Sequence, residues 1–559
     1  MCGICGFVSP HEIPDPALIV RMIARLAHRG PDGSGYFRDS QAALGHTRLA
    51  IIDTSGGIQP LANEDNSIWI SFNGEIFNYV ELSKELTARG HRMKTASDTE
   101  VIVHAWEEWG PECFSRFNGQ WAIAIWDRNR KELILSRDPT GIVPLHYAHS
   151  RGKFLFASEV KALFADPSLT RAFDPAGIKE TFTFWCTVAP RTIYEGVYEL
   201  EPGHWARLKD GALHKEPYWS VNFPARGESG SVSIKESGER LRHSLVEATR
   251  LRFLRSDVPV GAYLSGGIDS SVTSAIIRTY TNAPLRTYSL RFSDSEFDEG
   301  KYQDEMAKRL GTEHLSLTVS APDIAKVFPE VIWHGERPIL RSGPAPLFLL
   351  SKFVRESGYK VVVTGEGSDE MLAGYDIFRE AKVRRFWGND PVSRKRARAA
   401  ELLYPWMERS PGRAPAFAQA FFGKNLDLDD LALSHRPRWD STTVITNMLT
   451  KGFIERTNAS SPEQTLLSSV PPDFGRWDPL SQAQWLEIKT LLSGYILSSQ
   501  GDRMLMGNSV EGRFPFLDPD FMKVAHGFPS WQKLLALDEK HILKREFADL
   551  VPPSILNRP

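Results

Sequence analysis

The apolar positions of the chain change their spacing once, near the middle of the sequence. Up to about Leu208 the apolar segments are short and often alternate with polar residues, as in SIWISFNGEI (67–76), QWAIAIWD (120–127) and KFLFASEV (153–160). Turns rich in Gly, Asn and Asp separate them, so the pattern predicts antiparallel strands. Helical spacing appears near residues 16–28 and 98–110. Together these elements predict an α+β domain.

Beyond residue 233 the pattern becomes strand, loop, helix. VPVGAYL precedes SSVTSAIIRTY, LRTYSLRF precedes KYQDEMAKRL, and YKVVVTG precedes another helical run. Such alternation predicts an α/β domain with a doubly wound parallel sheet whose ligand lies at the carboxyl ends of the strands. After Tyr375 the chain is predicted to be mostly helical. The stretch between the two patterns is rich in Gly, Ser and Pro, so we predict domains at 1–208 and 234–559 with a linker at 209–233.

The composition narrows the class of protein without identifying it. The 559 residues carry 67 Lys and Arg against 69 Asp and Glu, a formal charge of −2. This balance gives no reason to expect a nucleic acid or an anionic membrane as partner. No apolar run approaches the roughly 20 residues that span a bilayer. With only four cysteines in the chain, we expect a cytoplasmic protein with reduced thiols.

The first candidate chemistry lies in the opening residues, MCGICGF. Removal of Met1 would leave Cys2 with a thiol and a free α-amine on one residue. Their ordinary pKa values, about 8.5 and about 7.7 to 8.0, let the amine take the thiol's proton near neutrality. The same letters also fit a C-x-x-C redox pair or half a zinc site with Cys5. Only Cys113 and Cys186 remain, so no second C-x-x-C completes a set of four zinc ligands.

Two strand-to-helix loops in the second half carry phosphate chemistry. YLSGGIDSS (263–271) follows an apolar strand and would turn backbone N–H groups and a helix N-terminus toward phosphate oxygens. It is neither a Walker loop nor a dinucleotide fingerprint, and it resembles the pyrophosphate loop of N-type ATP pyrophosphatases. VVVTGEGSDEMLAGY (361–375) repeats the design with carboxylates at Glu366, Asp369 and Glu370, which suit Mg²⁺. The alternatives are a plain Gly–Ser turn and an acidic surface loop.

Several motifs in one order make the resemblance specific. CGICGF, HRGPDG, LGHTRLAIID, FNGEIFN and SDTE resemble a class II glutamine amidotransferase domain, which has an N-terminal-nucleophile fold. Together with SGGIDSS, TGEGSDE, GDRMLMGNSVEGRFPFLD and EKHILK they resemble the glutamine-hydrolysing asparagine synthetase B family over nearly the whole chain. The resemblance implies that glutamine is hydrolysed, that ammonia crosses the interior, and that an acid activated by ATP as its acyl-adenylate is amidated.

The resemblance also implies roles for individual residues. Cys2 would be the nucleophile with its own α-amine as base, and Asn73 with the N–H of Gly74 would form the oxyanion hole. The implied glutamine-binding residues are Arg48, Asn73, Gly74, Glu75 and Asp98. The implied ATP-binding residues are Leu264, Ser265, Gly266, Gly267, Asp269, Ser270, Leu290, Thr364 and Gly365.

Four further roles follow in the synthetase half. Asp269 and Asp369 would bind Mg²⁺, Lys540 would stabilise charge on the α-phosphate, and Glu366 would take a proton from the attacking ammonia. Lys540 and Glu366 are the remaining implied catalytic residues. Ordinary solvated charges are the alternative reading of both.

The acceptor acid is the least specified partner. Aspartate is favoured by the resemblance, and Glu336, Arg337 and Arg341 are the local candidates for binding such a zwitterion. The segment 335–351 departs from the familiar spelling, and its prolines among apolar residues suit a larger acid of specialised metabolism as well. A β-lactam-synthetase-like cyclase and a non-catalytic scaffold stay as rivals. The oligomeric state is open, and a homodimer is one alternative. Continuation of the chain beyond ILNRP is also open.

Overall fold

The computed structural model describes residues 1–228, 232–294, 296, 298–405, 411–457 and 461–558. Residues 229–231 of the predicted linker and the terminal Pro559 lie outside the described residues. Among the described helices, none is long and apolar enough to cross a membrane.

The first half contains two six-stranded antiparallel sheets. The first sheet has the order β10-β8-β9-β1-β3-β2 and the second β12-β11-β7-β6-β5-β4. The strands are β1 (Gly3–Val8), β2 (Gly33–Arg38), β3 (Ala42–Arg48), β4 (Leu61–Ala62), β5 (Ile68–Ile76), β6 (Gly119–Asp127), β7 (Glu132–Arg137), β8 (His146–Ser150), β9 (Lys153–Ala157), β10 (Val197–Glu199), β11 (His204–Lys209) and β12 (Ala212–Pro217). The helices are α1 (Pro16–Ala24), α2 (Tyr79–Ala88), α3 (Asp98–Trp109), α4 (Cys113–Arg116), α5 (Val160–Leu163) and α6 (Pro175–Phe184).

The two sheets lie between layers of helices, as β6 illustrates. Ile123 and Ile125 pack in a cluster with residues of α2 and α3. Ala122 and Ala124 point the other way, into a cluster that contains Ile4 of the first sheet. The small alanines let the sheets approach, while the larger side chains fill the space under the helices. The predicted α+β domain is therefore confirmed, with α1 covering the first sheet.

Strand β12 lies inside the segment that the sequence predicts as a linker. It pairs with β11 from His204–Pro217 to Lys209–Ala212, and β11 pairs with β7. Residues 212–217 therefore belong to the second sheet and not to a linker. The rest of the division into 1–208, 209–233 and 234–559 stays a prediction.

The second half is built on a five-stranded sheet that is parallel throughout, in the order β15-β14-β13-β16-β17. Its strands are β13 (Val260–Tyr263), β14 (Arg286–Phe292), β15 (Glu313–Val319), β16 (Val361–Val363) and β17 (Glu511–Arg513). The chain adds β14 and β15 on one side of β13, then β16 and β17 on the other. The direction of winding reverses between β13 and β16, where such sheets bind ligands. The predicted doubly wound fold is confirmed.

Helices cover this sheet and make up most of the described chain after Tyr375, as predicted. They are α7 (Ile234–Leu254), α8 (Ile268–Tyr280), α9 (Gly300–Leu310), α10 (Ala321–Gly335), α11 (Pro344–Glu356), α12 (Ser368–Leu372), α13 (Asp376–Gly388), α14 (Arg394–Ala397), α15 (Pro415–Phe422), α16 (Arg436–Thr443), α17 (Lys451–Thr457), α18 (Pro462–Ser468), α19 (Pro479–Glu487), α20 (Arg503–Met506), α21 (Pro519–His526), α22 (Ser530–Lys533), α23 (His541–Glu546) and α24 (Pro553–Leu556). A π-helical segment, Ile488–Asp502, precedes α20. It reaches the first half, where the thiol of Cys186 donates to the carbonyl of Thr490 at 3.3 Å.

Candidate active sites

Cys2 is buried and immediately precedes β1. Its backbone N–H donates to Asn73 Oδ1 at 2.7 Å, and its Sγ accepts from the N–H of Leu49 at 3.4 Å. Burial raises the pKa of the thiol to about 11. The thiol therefore needs a base beside it to become a nucleophile near neutral pH. The backbone nitrogen held by Asn73 is the atom that becomes the free amine once Met1 is removed.

Cys5 is three residues further along the strand and points away from Cys2. Its Sγ packs in the cluster under α1 together with Ile19. Residues three apart on a strand face opposite sides of the sheet. All four cysteines are free. The geometry thus opposes a Cys2–Cys5 redox pair.

Asn73 and Gly74 lie next to each other on β5. The Nδ2 of Asn73 lies 3.4 Å from Ser158 Oγ. Gly74 has φ +148°, and a Cβ there would lie 2.0 Å from the carbonyl oxygen of Gln120 on β6. Only glycine lets β5 keep this path beside β6.

Two residues of β17, in the other half of the chain, complete the surroundings of the N-terminus. The Met1 ammonium donates to Glu511 Oε2 at 2.5 Å, and Arg513 Nε donates to Glu511 Oε1 at 2.7 Å. Glu75 Oε1 lies 3.7 Å from Arg513 Nη2. Burial and the charge of Glu511 raise the pKa of Glu75 well above its ordinary value. Glu511 and Arg513 lie within the motif GDRMLMGNSVEGRFPFLD, whose spelling alone indicates no role for either residue.

Asp98 lies at the N-terminus of α3, and Arg48 lies near the same helix end. Asp98 is the first residue of that helix, and its Oδ2 accepts from the N–H of Ile76 at 3.0 Å. Arg48 Nη2 donates to the carbonyl of Asp53 at 2.5 Å. A Cβ on Gly57 would lie 2.9 Å from that nitrogen and 3.1 Å from Ser97 Oγ, so Arg48 lies close to the helix cap. Burial raises the pKa of Asp98 to about 6. The end of α3 thus places a buried carboxylate next to the backbone of β5, with a cation nearby.

The second half brings its predicted ATP-binding residues together at the switch point. The loop after β13 is tied by its own hydroxyls, because Ser270 Oγ accepts from the N–H of Ser265 at 3.1 Å and lies 2.9 Å from Ser265 Oγ. Gly266 has φ +82°, which favours glycine. Leu264 is buried below the loop and donates its N–H to the carbonyl of Tyr288 at 2.8 Å.

Lys540 joins the two predicted metal ligands. Its Nζ lies 2.6 Å from Asp269 Oδ2 and 2.7 Å from Asp369 Oδ1. Asp269 also accepts from Ser368 Oγ at 2.7 Å. Lys540 has φ +51° and is buried, so it is not a solvated surface charge. Gly374 leaves space for it, since a Cβ there would lie 2.0 Å from Lys540 Cε.

The second loop closes on the first. A Cβ on Gly365 would lie 2.8 Å from Asp269 Cβ, so Gly365 permits close contact between the loops after β13 and β16. Thr364 Oγ1 accepts from the N–H of Glu366 at 3.4 Å, and the carbonyl of Leu290 accepts from Gln303 at 2.8 Å. Burial, with the nearby charges of Asp369 and Asp269, raises the pKa of Glu366 to about 7. Such a carboxylate can exchange protons near neutrality.

Two carboxylates that converge on one ammonium also fit a divalent cation. Asp269 and Asp369 come from different loops, and their oxygens reach the same positive charge within 2.7 Å. Magnesium prefers such oxygen ligands and keeps waters or phosphate oxygens in its other positions. The donor set therefore fits Mg²⁺ together with a nucleotide.

Two of the three candidates for acceptor binding, Glu336 and Arg337, form hydrogen bonds with other parts of the protein. Glu336 accepts from the backbone N–H groups of Val160 and Lys161 at 2.9 and 2.6 Å. Arg337 is buried and donates to the carbonyl of Gly494 at 2.9 Å. The contacts of Glu336 join the two halves, whereas the contact of Arg337 lies within the second half. The assignment of Glu336 and Arg337 to acceptor binding stays a prediction. Arg341 differs, since its guanidinium lies 5.1 Å from the centroid of the Trp185 ring.

A buried ion-pair network crosses between the halves behind Cys2. Arg29 donates from Nε to the carbonyl of Cys2 at 2.9 Å and pairs with Asp502 at 2.7 Å and Glu159 at 2.8 Å. Arg503 lies 3.2 Å from Glu159 and 3.1 Å from Glu336. The network was not predictable from the sequence, because its members are distributed over both halves without a regular spacing. It fixes the position of Cys2 relative to the synthetase half.

Comparison with known proteins gives the two halves separate matches. Residues 1–219 match the family model described as a glutamine amidotransferase domain, and residues 240–559 match the model described as asparagine synthase. The chain belongs to the asparagine synthase family. It combines that domain with a glutamine amidotransferase domain, so the family resemblance predicted from the motifs is confirmed.

Curated relatives extend over the whole chain of this asparagine synthase family member. Asparagine synthetase [glutamine-hydrolyzing] 1 of Bacillus subtilis is 31% identical over 565 residues, covering 100% of this chain and 86% of the relative. A putative asparagine synthetase [glutamine-hydrolyzing] of Mycobacterium tuberculosis is 30% identical over 597 residues, with coverage of 100% and 86%. The amidase chry2 of Gibberella zeae is also 30% identical, over 613 residues, with coverage of 100% and 88%.

Proposed function

We propose that this enzyme hydrolyses glutamine at Cys2 and uses the ammonia, with ATP, to convert aspartate to asparagine. The main support for the ATP-dependent part of this proposal is the pair of contacts from Lys540 to Asp269 and Asp369 beside the loop 265–270. A family of glutamine-dependent amidotransferases with an asparagine synthase domain supplies the reaction class. Aspartate is proposed because relatives named asparagine synthetase align with the whole chain.

In the first step the α-amine of mature Cys2 accepts the thiol proton, and the sulfur attacks the carboxamide carbon of glutamine. The C–N bond then breaks as the amine returns the proton to the departing ammonia, and water cleaves the resulting thioester to release glutamate and the thiol. Asn73 Oδ1 holds the amine in place, which leaves its Nδ2 and the N–H of Gly74 as the oxyanion donors. In a comparable site one such donor is worth about 3 to 4 kcal/mol. Arg48 would pair with the α-carboxylate of glutamine and Asp98 with its α-ammonium. Glu75 lies behind them as a further contact.

In the second half the loop 265–270 would hold the pyrophosphate part of ATP, with Leu264, Leu290, Thr364 and Gly365 beside the nucleoside. Asp269 and Asp369 would hold Mg²⁺, which supplies positive charge next to the phosphates. Lys540 would stabilise charge at the α-phosphate when the acceptor carboxylate attacks it and pyrophosphate leaves. Glu366 would then take a proton from ammonia as the amide forms and AMP leaves. Ammonia must reach this site unprotonated, so we propose a dry passage between the halves.

A pyrophosphate-release screen with ATP, Mg²⁺, glutamine and a panel of acids tests the acceptor. We expect aspartate to support turnover, and product mass to show asparagine. Succinate and malate serve as matched controls, since each lacks the α-ammonium of aspartate. Inactivity with aspartate in protein that still hydrolyses glutamine would contradict the proposal.

A second acceptor class is favoured by one observation. Fungal relatives named amidases are 30% and 29% identical, about as similar as the relatives named asparagine synthetase. In that case the acceptor is another carboxylic acid of specialised metabolism, and the same screen would identify it. The Arg341–Trp185 contact offers a cation and an apolar ring for a larger acid.

The oligomeric state, including a homodimer, is best measured on the same sample by light scattering.

Removal of Met1 is a direct consequence of the proposed base. We expect intact mass and N-terminal sequencing of active enzyme to show Cys2 as the first residue, because the amine must be free to accept a proton. Full glutaminase turnover in protein that retains Met1 would contradict the assignment of the α-amine. A Met1-retaining sample, obtained by blocking the aminopeptidase, is the matched control and should hydrolyse little glutamine.

The raised pKa of Asp98 predicts a pH dependence of glutamine binding. Below about pH 6 the carboxyl takes up a proton and loses its attraction for the α-ammonium of glutamine. We therefore expect the KM for glutamine to rise by up to about tenfold per pH unit below that value. In Asp98→Asn the KM should be high and should change little over the same range. An unchanged KM in that variant would remove Asp98 from the binding site.

A further inference from the structure

Outside both candidate sites, two histidines and a glutamate converge on the outer side of the second sheet's helices. His104 and Glu107 lie three residues apart on α3, and His91 lies in the turn that follows α2. His91 Nδ1 is 3.2 Å from His104 Nδ1, and Glu107 Oε2 is 3.0 Å from that same nitrogen. One ligand atom of each residue lies within 4.8 Å of the others. We call these three residues the histidine cluster.

The opposite nitrogen of each imidazole faces a different carboxylate. His91 Nε2 lies 3.3 Å from Glu108 Oε2, and His104 Nε2 lies 3.7 Å from Glu100 Oε1. A neutral imidazole that directs its Nε2–H toward a carboxylate carries its lone pair on Nδ1. In that tautomer both lone pairs would point at one another and at the Glu107 carboxylate, an arrangement that needs either a proton or a metal ion between them. Three electron-pair donors facing one point are stabilised by a cation between them.

The environment resembles a metal shell in two further respects. Carboxylates that orient ligating imidazoles are the usual second layer around a metal. Glu64 Oε2 lies 3.9 Å from His104 Nδ1, close enough to supply a fourth oxygen after a small movement. His104 is buried with 1% of its side chain exposed, whereas His91 and Glu107 are 17% and 23% exposed, so an ion can enter from solvent.

We propose that His91, His104 and Glu107 bind one divalent transition-metal ion, with Zn²⁺ as the ion that this donor set suits best. Two imidazole nitrogens and one carboxylate oxygen match zinc, and a hard ion such as Mg²⁺ would prefer oxygen alone. The ion would join the turn after α2 to α3. It would also reach the β4–β5 connection, because Asn63 Nδ2 donates to Glu107 Oε1 at 2.8 Å. The site is a structural brace on the helix whose first residue is Asp98.

Zinc titration of the metal-free full-length enzyme against a chromophoric chelator, in excess Mg²⁺, tests the site. We expect the wild type to bind one tight equivalent more than His91→Gln. Glu107→Gln should bind that equivalent at least tenfold more weakly, and Glu108→Gln about 10- to 100-fold more weakly, since outer carboxylates have effects of that size. His11→Gln, a change at an exposed histidine of the same half, should match the wild type.

All these proteins retain Cys2 and the carboxylates at Asp269 and Asp369, so the differences report the histidine cluster alone. Circular dichroism checks that each variant is folded, and the exposed position of Glu108 makes that variant usable if His91→Gln is not. Substitution with Co²⁺ should give tetrahedral d–d absorption without a thiolate charge-transfer band. Equal stoichiometry and affinity in the wild type, His91→Gln and Glu108→Gln would overturn the proposal. A thiolate band that accounts for the tight equivalent would also overturn it.

Discussion

Replacing Cys2 with alanine should abolish glutamine hydrolysis and leave amide formation from ammonium salts intact. The thiol is the proposed nucleophile, and removal of the nucleophile from an acyl-transfer site costs on the order of 10⁶ in kcat. Lys540, Asp269 and Asp369 lie on the other half of the chain, so their chemistry does not use the thiol. The measurement is glutamate release beside ammonium-dependent pyrophosphate release in the same preparation.

Cys5→Ala is the matched control for this change. It removes the same atom three residues away, from a side chain packed under α1. We expect some loss of stability, about 1 kcal/mol per buried group of that size, but retention of both activities. Equal loss of both activities in Cys2→Ala would contradict two separate sites. Loss of glutamine hydrolysis in Cys5→Ala, with the protein still folded, would instead revive the C-x-x-C reading.

The fold was predictable where local spacing and the final environment agree. Strand β16 is a short run of valines, buried on both faces as a central parallel strand requires. Strand β12 has no such signal, because it lies at a sheet edge with mostly exposed, polar residues. Pairing with β11 places it in the sheet, and that partnership is not encoded by the hydrophobic spacing of β12 itself.

The candidate sites were predictable to the extent that short motifs carry them. Asn73 and Gly74 follow from FNGEIFN, and the structure brings Asn73 to the backbone nitrogen of Cys2. Glu511 reaches the N-terminus from the other half, and no periodic pattern links residues so distant along the chain. The contacts of Glu336 were unpredictable for the same reason, since they join residues distant along the chain. Its sequence neighbours suggested a pocket, whereas its partners are the backbone of α5 and Arg503.

Replacing Asp269 with asparagine should have the second largest effect, on ATP cleavage rather than on glutamine. The change keeps the size of the side chain and removes one of the two negative charges that meet at Lys540. If that charge contributes about 3 kcal/mol to the transition state, pyrophosphate release falls about 100-fold or more. Asp369→Asn should behave alike, because its oxygen lies 2.7 Å from the same ammonium.

The fold should survive this substitution, which makes the kinetic result interpretable. A buried cation that loses its only partner costs several kcal/mol, but Lys540 keeps Asp369 in Asp269→Asn, and Ser368 Oγ can still donate to the remaining amide oxygen. Glutamine hydrolysis should therefore continue at a comparable rate, and Asp429→Asn, at an exposed position, should leave both activities unchanged. Pyrophosphate release by Asp269→Asn at the wild-type rate would show that this carboxylate holds neither the metal nor Lys540 in the working site. If glutamine hydrolysis and pyrophosphate release fell together and the Tm were lowered, the role of Asp269 would be in stability. A role confined to the ATP site should lower pyrophosphate release alone.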